Sequence, residues 1–220
     1  MKYKINDAGK HIEENDPRPE FLAMEPFCRG LGLDIGCGTN RLSPTVLSID
    51  NYPHLDADLI WDCWKPEGTG YVFNPYPFRD CVFDFVFASH LLEDFPRQQI
   101  FQVFNEWMRL VKVGGHLIIL VPDMEGGRYP DWDEKFNEED EEVKSGKRKL
   151  GELKGNPSHS ITMGITLLNE MAAAYESIEH NALEIVQVDT IPHNTMTLDF
   201  VVRKFDGTSA LSEKIAPASS

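Results

Sequence analysis

The sequence predicts an α/β protein built on a doubly wound, mostly parallel sheet with an antiparallel strand at its C-terminal end. Three observations support this fold class: short apolar runs alternate with helical or loop segments, a glycine-containing turn follows the first run, and two β-rich runs close the chain. The chain has 220 residues, of which 41% are hydrophobic and 26% charged. That size and composition suit one globular domain with a substantial core.

The predicted strands are short apolar runs that end at glycine or at an acidic or small polar residue. Such runs are typical of buried parallel strands, whose two faces are both covered. They comprise residues 31–35, 46–49, 59–61, 83–88 and 116–121. Residues 183–188 and 197–202 predict a closing antiparallel pair.

Three helices are predicted from apolar spacing. Residues 19–29 carry apolar side chains at helical intervals and are followed by Gly30, a common helix stop. Residues 97–112 show the clearest amphipathic pattern, ended by a Gly-Gly pair. Residues 165–178 predict the last helix.

Polar segments suggest the domain boundaries. Residues 1–16 lack an apolar stretch and are expected to be flexible, and residues 206–220 are expected to be a disordered tail. A single domain would then span residues 17–205. Residues 124–158 are hydrophilic and too long for an ordinary connection, so we expect a polar insertion there.

Charge and composition argue against several classes of partner. The net charge is −15, which would repel nucleic acid because such binding depends on neutralising phosphates. No apolar run is long enough to span a membrane and no signal-like segment begins the chain, so we expect a cytoplasmic protein without a membrane partner. The four cysteines and seven histidines show no ligand-like spacing, which predicts no metal site.

The residues that follow the strands predict a ligand site at the carboxyl edge of the sheet. The first strand runs into Asp34–Thr39, in which Gly36 and Gly38 permit a sharp turn and close approach of the backbone to a ligand. The second ends at Asp50, whose carboxylate can accept both ribose hydroxyls of an adenosine. Asp62, after the third, can accept from an adenine amino group. The alternative for the glycine turn is a plain tight turn without a ligand, and the alternative for Asp62 is a position in a surface loop.

The connection between the first two strands is unusually short. About a dozen residues separate Gly38 from Asp50, and Ser43 and Pro44 interrupt them. A helix of about 10 residues plus a strand cannot fit in that length. The first crossover is therefore expected to be a loop or a single turn.

Four stretches occur in a telling order: LDIGCGT, SID, PFRDCVFDFVFASHLLEDF and FNEWMRLVKVGGHLIILVPD. Together, over residues 31–123, they resemble the class I methyltransferases that depend on S-adenosylmethionine (SAM). The short crossover resembles a compact subgroup that often ends its fifth strand in Val-Pro-Asp. His commonly stands in that subgroup where this chain has Asp94.

The resemblance implies a Rossmann-like sheet, the class I methyltransferase fold, and SAM as the cofactor. It further implies that the cofactor is held at the ends of the first four strands. The implied positions are Asp34, Ile35, Gly36, Cys37, Gly38, Thr39, Asp50, Asn51, Asp62, Cys63, Ser89 and His90.

Methyl transfer from a sulfonium is an in-line displacement, so positioning of the acceptor matters most and a general base is optional. His90 is the first candidate base because it follows the fourth strand and a histidine can titrate near neutral pH. Asp123, after the fifth strand, and His159, in a loop, are further candidates. Ordinary packing or loop roles are the alternatives for these residues.

The expected function is SAM-dependent methyl transfer to a small or polar acceptor, such as a sugar, a nucleotide or a peptide group. Three alternatives remain at this point: a SAM-binding protein that does not methylate, a Rossmann-type nucleotide or dinucleotide enzyme and, as a minor option, a nucleic-acid methyltransferase. A Rossmann dehydrogenase usually has a third glycine and a longer helix before the acid. Asn74-Pro75-Tyr76 resembles the Asn-Pro-Pro-Tyr motif of DNA methylases, but it precedes the fourth strand and lacks the second proline, so it predicts a turn.

Overall fold

The computed structural model describes residues 3–5, 11–13, 19–39, 41–53, 57–67, 70–128, 137–147, 149–150, 161–178, 181–190 and 197–206. Its strands are β1 (Tyr3–Ile5), β2 (His11–Glu13), β3 (Gly32–Ile35), β4 (Leu47–Asp50), β5 (Leu59–Ile60), β6 (Trp64–Glu67), β7 (Gly70–Phe73), β8 (Phe83–Ser89), β9 (Val111–Pro122), β10 (Asn181–Val188) and β11 (Thr197–Asp206). Its α-helices are α1 (Pro19–Met24), α2 (Arg97–Leu110), α3 (Glu141–Lys144) and α4 (Ile165–Glu176).

A seven-stranded sheet forms the centre of the protein, in the order β10-β11-β9-β8-β3-β4-β5. The five strands from β9 to β5 in that order run parallel, and β11 is antiparallel to both of its neighbours, β9 and β10. The predicted mostly parallel sheet with an antiparallel C-terminal strand is therefore confirmed. No helix in the described part of the chain is both long and apolar enough to cross a membrane.

Alternating side chains of the central strands build a core on each face of the sheet. On one face, Phe104 and Trp107 of α2 and Leu168 of α4 pack against the sheet. On the other face, Phe21 of α1 meets Phe87 of β8 edge to face, with ring centroids 5.3 Å apart. Burial on both faces explains why the central strands are almost continuously apolar.

All three predicted helices end earlier than the sequence predicted, the last of them at Glu176 rather than at residue 178. The predicted helix over residues 19–29 ends at Met24 and continues as a 3₁₀ turn, Glu25–Phe27, because Pro26 lacks an N–H and restricts the residue before it. The helix predicted to reach residue 112 ends at Leu110, and β9 begins at Val111 rather than at residue 116. The Gly-Gly pair lies inside β9, next to a break in the β8–β9 register.

Three small elements were not predicted from the sequence. The β1–β2 antiparallel pair falls in the N-terminal segment that was expected to be flexible, and α3 falls in the polar insertion. The β6–β7 hairpin is stabilised by a cross-strand pair, Trp64 and Phe73, whose rings lie 5.3 Å apart. The described residues between β3 and β4 contain only turns, as the short crossover predicted.

Candidate functional site

A cavity of about 710 Å³ lies beyond the carboxyl ends of β3, β4, β5 and β8. This is the edge at which open parallel sheets bind ligands, and the volume is typical of a ligand pocket. Eight residues predicted from the sequence line it: Gly36, Gly38, Thr39, Asp50, Asn51, Asp62, Cys63 and His90.

The glycine turn after β3 brings backbone, rather than side chains, to the cavity. Gly36 and Gly38 both adopt left-handed conformations, with φ of +67° and +54°. The amide of Gly36 donates to the carbonyl of Ile49 at 2.8 Å, which ties the turn to β4. A Cβ at Gly36 would lie 2.7 Å from a methyl carbon of Leu91, so both the conformation and the space favour glycine.

Asp50 connects the glycine turn to the end of β4. Its buried carboxylate accepts from the amide of Gly38 at 2.9 Å and from the amide of Tyr52 at 3.0 Å. Each carboxylate oxygen has a second acceptor position, which suits a pair of ligand hydroxyls. Asp50 thus shapes the turn and faces the cavity with the same side chain.

Asp62 lies where the chain leaves β5 for the β6–β7 hairpin. Its carboxylate accepts from the amide of Trp64 at 2.9 Å, and its carbonyl accepts from the Asn74 side chain at 2.6 Å. The carbonyl of Asn74 accepts from the indole N–H of Trp61 at 3.3 Å. Asn74 therefore organises the turn below the hairpin, while Trp61 and Trp64 line the cavity.

His90 directly follows β8 in a left-handed conformation, with φ of +52°. That conformation costs a non-glycine residue on the order of 1 kcal/mol, and such strained residues cluster at functional sites. Its amide donates to the carbonyl of Leu120 at 2.8 Å. Its ring lies between two partners: Nε2 is 3.1 Å from Oγ1 of Thr197, and Nδ1 is 3.4 Å from Oε1 of Glu93. The side chain is 34% exposed.

Two acidic residues predicted for the site, Asp34 and Asp123, do not line the cavity, and their carboxylates bind other groups of the protein. The carboxylate of Asp34 accepts from the amide of Leu42 at 2.7 Å and fixes the loop beyond the glycine turn. Asp123 accepts from the amide of Gly126 at 2.8 Å and forms a buried ion pair with Arg128. The structure thus gives both carboxylates a role in holding loops.

Three other predicted residues, Ile35, Cys37 and Ser89, also lie away from the cavity. Ile35 is packed in the core, and Ser89 pairs with Leu120 in the sheet, so neither lines the cavity. Cys37 is buried beside the turn, where desolvation raises the pKa of its thiol to about 11. His159 lies outside the described residues.

One whole side of the cavity was not predicted from the sequence, and it comes from the connection between β8 and α2. The residues of that connection on the cavity wall are Leu91, Asp94, Phe95, Pro96 and Gln99. Tyr52 and Tyr76 also line the wall. These residues could have been found from their place in the sequence. Ligands of open α/β sheets bind beyond the carboxyl ends of the strands, so every residue of the loop after a strand is a candidate and not only the first.

Two side chains of the cavity wall, Cys63 and Tyr76, are neutral hydrogen-bonding groups. Burial raises the pKa of the Cys63 thiol to about 11 and holds the pKa of the Tyr76 phenol well above its usual range. Both side chains therefore stay protonated at physiological pH and can act as hydrogen-bond donors.

Comparisons with known proteins agree with this geometry. Residues 63–119 match the model of a family described as a methyltransferase domain. A comparison with curated proteins gave no significant match.

Three solved structures share the fold at low sequence identity. One, from work on the conversion of a disulfide bond into a thioacetal group during echinomycin biosynthesis, aligns with a TM-score of 0.54 and 16% identity over 92% of this chain and 88% of that chain. An S-adenosylmethionine-dependent methyltransferase from Clostridium acetobutylicum ATCC 824 aligns with a TM-score of 0.54 and 11% identity, over 87% of this chain and 93% of that chain. A SAM-dependent methyltransferase from Thermotoga maritima, described as a possible histamine N-methyltransferase, aligns with a TM-score of 0.52 and 16% identity, over 84% of this chain and 88% of that chain.

Proposed function

We propose that this protein, a SAM-dependent methyltransferase with the class I fold, methylates a small or polar acceptor bound in the cavity beyond β3, β4, β5 and β8. The methyltransferase-domain match and the shared fold support the class of enzyme and its cofactor, SAM. One observation carries the proposal for the site: a single cavity gathers the glycine turn, Asp50, Asp62 and His90.

The residues of the cavity fit SAM. The glycine turn lets the backbone approach the cofactor closely, and the Asp50 carboxylate is placed to accept from two ribose hydroxyls. Asp62 would accept from the adenine amino group, with Trp61 and Trp64 beside the base. When bound, SAM supplies an electrophilic methyl group on a positively charged sulfonium.

The charges on the cavity wall limit which classes of acceptor can bind. Among the described wall residues, Asp50, Asp62 and Asp94 are acidic, and none is lysine or arginine. Asp50 and Asp62 are assigned to the cofactor, so Asp94 is the acidic wall residue that would repel a free phosphate or carboxylate on the acceptor, and no lysine or arginine of the described wall offsets its charge. A neutral hydroxyl or amine group, as on a sugar, a nucleoside or a peptide, suits this wall better.

The protein's own contribution to the reaction is to position the acceptor, exclude water and receive a proton. Aromatic and apolar side chains, among them Trp61, Leu91 and Phe95, cover much of the cavity and limit the access of water. His90 lines the cavity and is the candidate to receive the proton that a hydroxyl or amine acceptor loses.

Isothermal titration with S-adenosylhomocysteine, the demethylated product of SAM, tests the cofactor site. Wild-type protein is expected to bind with a micromolar dissociation constant, about −8 kcal/mol. Asp50→Asn should weaken binding by at least about tenfold, roughly 1.4 kcal/mol, because the substitution removes the charge and one of two acceptor atoms.

Asp84→Asn is the matched control, because Asp84 also accepts from a backbone amide, that of Leu31, but does not line the cavity. It should bind like the wild type, and NAD should give no saturable heat. Equal affinity in wild type and Asp50→Asn, or a preference for NAD, would contradict the proposed site. Confirmed binding would justify screening neutral acceptors with labelled SAM.

A further inference from the structure

Glu93 is a fully buried carboxylate beside the candidate proton acceptor. It lies in the 3₁₀ turn Leu92–Asp94, three residues after His90, and its side chain has no exposed surface. Its Oε1 atom is 3.4 Å from Nδ1 of His90. A buried carboxylate is costly unless a cation or a hydrogen-bond donor faces it. The imidazole of His90, which can be either, lies beside this carboxylate.

The opposite nitrogen of the same ring faces a different element. Nε2 lies 3.1 Å from the hydroxyl of Thr197, at the start of β11, and a hydroxyl can donate or accept. The main chain of His90 is fixed as well, because its amide is bonded to Leu120 of β9. Both ring nitrogens thus lie near polar side chains, Nε2 at hydrogen-bond distance from Thr197 and Nδ1 beside the Glu93 carboxylate, while the His90 side chain is part of the cavity wall.

We propose that Glu93 is a positioning residue that keeps the proton of neutral His90 on Nδ1, so that Nε2 is the nitrogen that accepts a proton from the methyl acceptor. This inference rests on the proposed function, in which His90 takes up that proton. A carboxylate acts only as an acceptor, so Glu93 selects the ring nitrogen that carries hydrogen. Thr197 then donates its hydroxyl hydrogen to Nε2 until an acceptor replaces it.

Glu93 has a second effect, which is to stabilise the positive charge that His90 gains when it takes up the acceptor's proton. As the acceptor atom forms its bond to the methyl carbon and the carbon–sulfur bond breaks, the acceptor's proton moves to Nε2. His90 would then be an imidazolium, and the methyl donor would leave as a neutral thioether. That positive charge forms next to the buried carboxylate, where a low dielectric strengthens the attraction. The proton later leaves to water through the exposed part of the ring.

Long-range proton–nitrogen NMR on ¹⁵N-histidine-labelled protein tests the tautomer directly, without a known acceptor. His90→Asn identifies the His90 signals by their loss, and asparagine tolerates the left-handed backbone. In the wild type, neutral His90 is expected to carry its hydrogen on Nδ1. Glu93→Leu, which replaces the buried carboxylate with an apolar side chain, should switch the hydrogen to Nε2, facing Thr197.

Thr197→Val is the matched control, because it removes the partner of the other nitrogen and should leave the hydrogen on Nδ1. A wild-type His90 signal with the hydrogen on Nε2 would by itself overturn the proposal, so the test does not depend on Glu93→Leu folding. An unchanged tautomer in a folded Glu93→Leu protein would overturn it too. Failure of S-adenosylhomocysteine to bind the wild type is a separate result that removes the proposed function itself.

Discussion

At the scale of single residues, burial decides which thiols can react. Desolvation raises the pKa of Cys28 to about 12 and those of Cys37 and Cys63 to about 11, whereas Cys81 is exposed. Only the thiolate is nucleophilic, and each pKa unit changes its fraction about tenfold. Raising a thiol pKa from 9.0 to about 11 therefore lowers the thiolate fraction about 100-fold at pH 8.

Iodoacetamide at pH 8 is thus expected to modify Cys81 well before the other three cysteines, as measured by mass spectrometry of peptides over time. Cys81→Ser should abolish the fast reaction. Cys63 lines the cavity, so its slow modification should become slower still when S-adenosylhomocysteine is bound. Modification of Cys37 at the rate of Cys81 would contradict the burial that the structure shows.

At the scale of elements, one arginine joins α2 to the loop before β8. The guanidinium of Arg109 binds both carboxylate oxygens of Glu106, at 2.8 and 2.7 Å, and also the carbonyl of Phe78 and the carboxylate of Asp80. Glu106 is buried and also accepts from the amide of Tyr76. Arg109→Ala would leave that buried carboxylate without its cation, so we expect the free energy of unfolding to fall by about 2–4 kcal/mol in urea titrations.

The same helix provides the control for this prediction. Arg97 pairs with Glu170 of α4 at 3.0 Å, but the two side chains are 63% and 56% exposed. Exposed ion pairs contribute little, so Arg97→Ala should change the free energy of unfolding by less than about 0.5 kcal/mol. Similar losses for the two variants would mean that the Arg109 cluster is solvated and not a structural link.

Elements with a strong apolar pattern could be predicted from the sequence, and elements held by particular side-chain contacts could not. The amphipathic spacing of residues 97–110 was sufficient to place α2. The β6–β7 hairpin depends on the Trp64–Phe73 contact and on a hydrogen bond from Asn74, and neither leaves a periodic signal. Pro66 within β6 also argues against a strand in any sequence-based prediction.

The same distinction applies to the candidate site. The positions of Gly36, Asp50 and His90 followed from their place directly after strands, which the topology alone brings to one edge. Asp123 also follows a strand, but its side chain pairs with Arg128 and does not line the cavity. Such a choice of partner depends on tertiary contacts that one sequence does not display.

At the scale of the whole molecule, the two cores share the same strands. Neighbouring residues of β9, such as Leu117 and Ile118, point to opposite faces and belong to different core clusters, as do Val86 and Phe87 of β8. One core cannot unfold without breaking the strands that carry the other. We therefore propose that residues 17–205 unfold as a single cooperative domain.

Tryptophan fluorescence and a substitution on the opposite face test this proposal together. Trp61, Trp64 and Trp107, the tryptophans of the described residues, all belong to or pack against the core under α2. Phe87→Ala removes a large side chain from the other core and should lower stability by about 3–5 kcal/mol. If the domain unfolds as one cooperative unit, the urea unfolding curves of Phe87→Ala followed by fluorescence and by circular dichroism must shift together relative to those of the wild type. S-adenosylhomocysteine at 100 times its dissociation constant should move both curves back by about 2.7 kcal/mol. A fluorescence curve that ignores Phe87→Ala would instead show that the two faces of the sheet unfold separately.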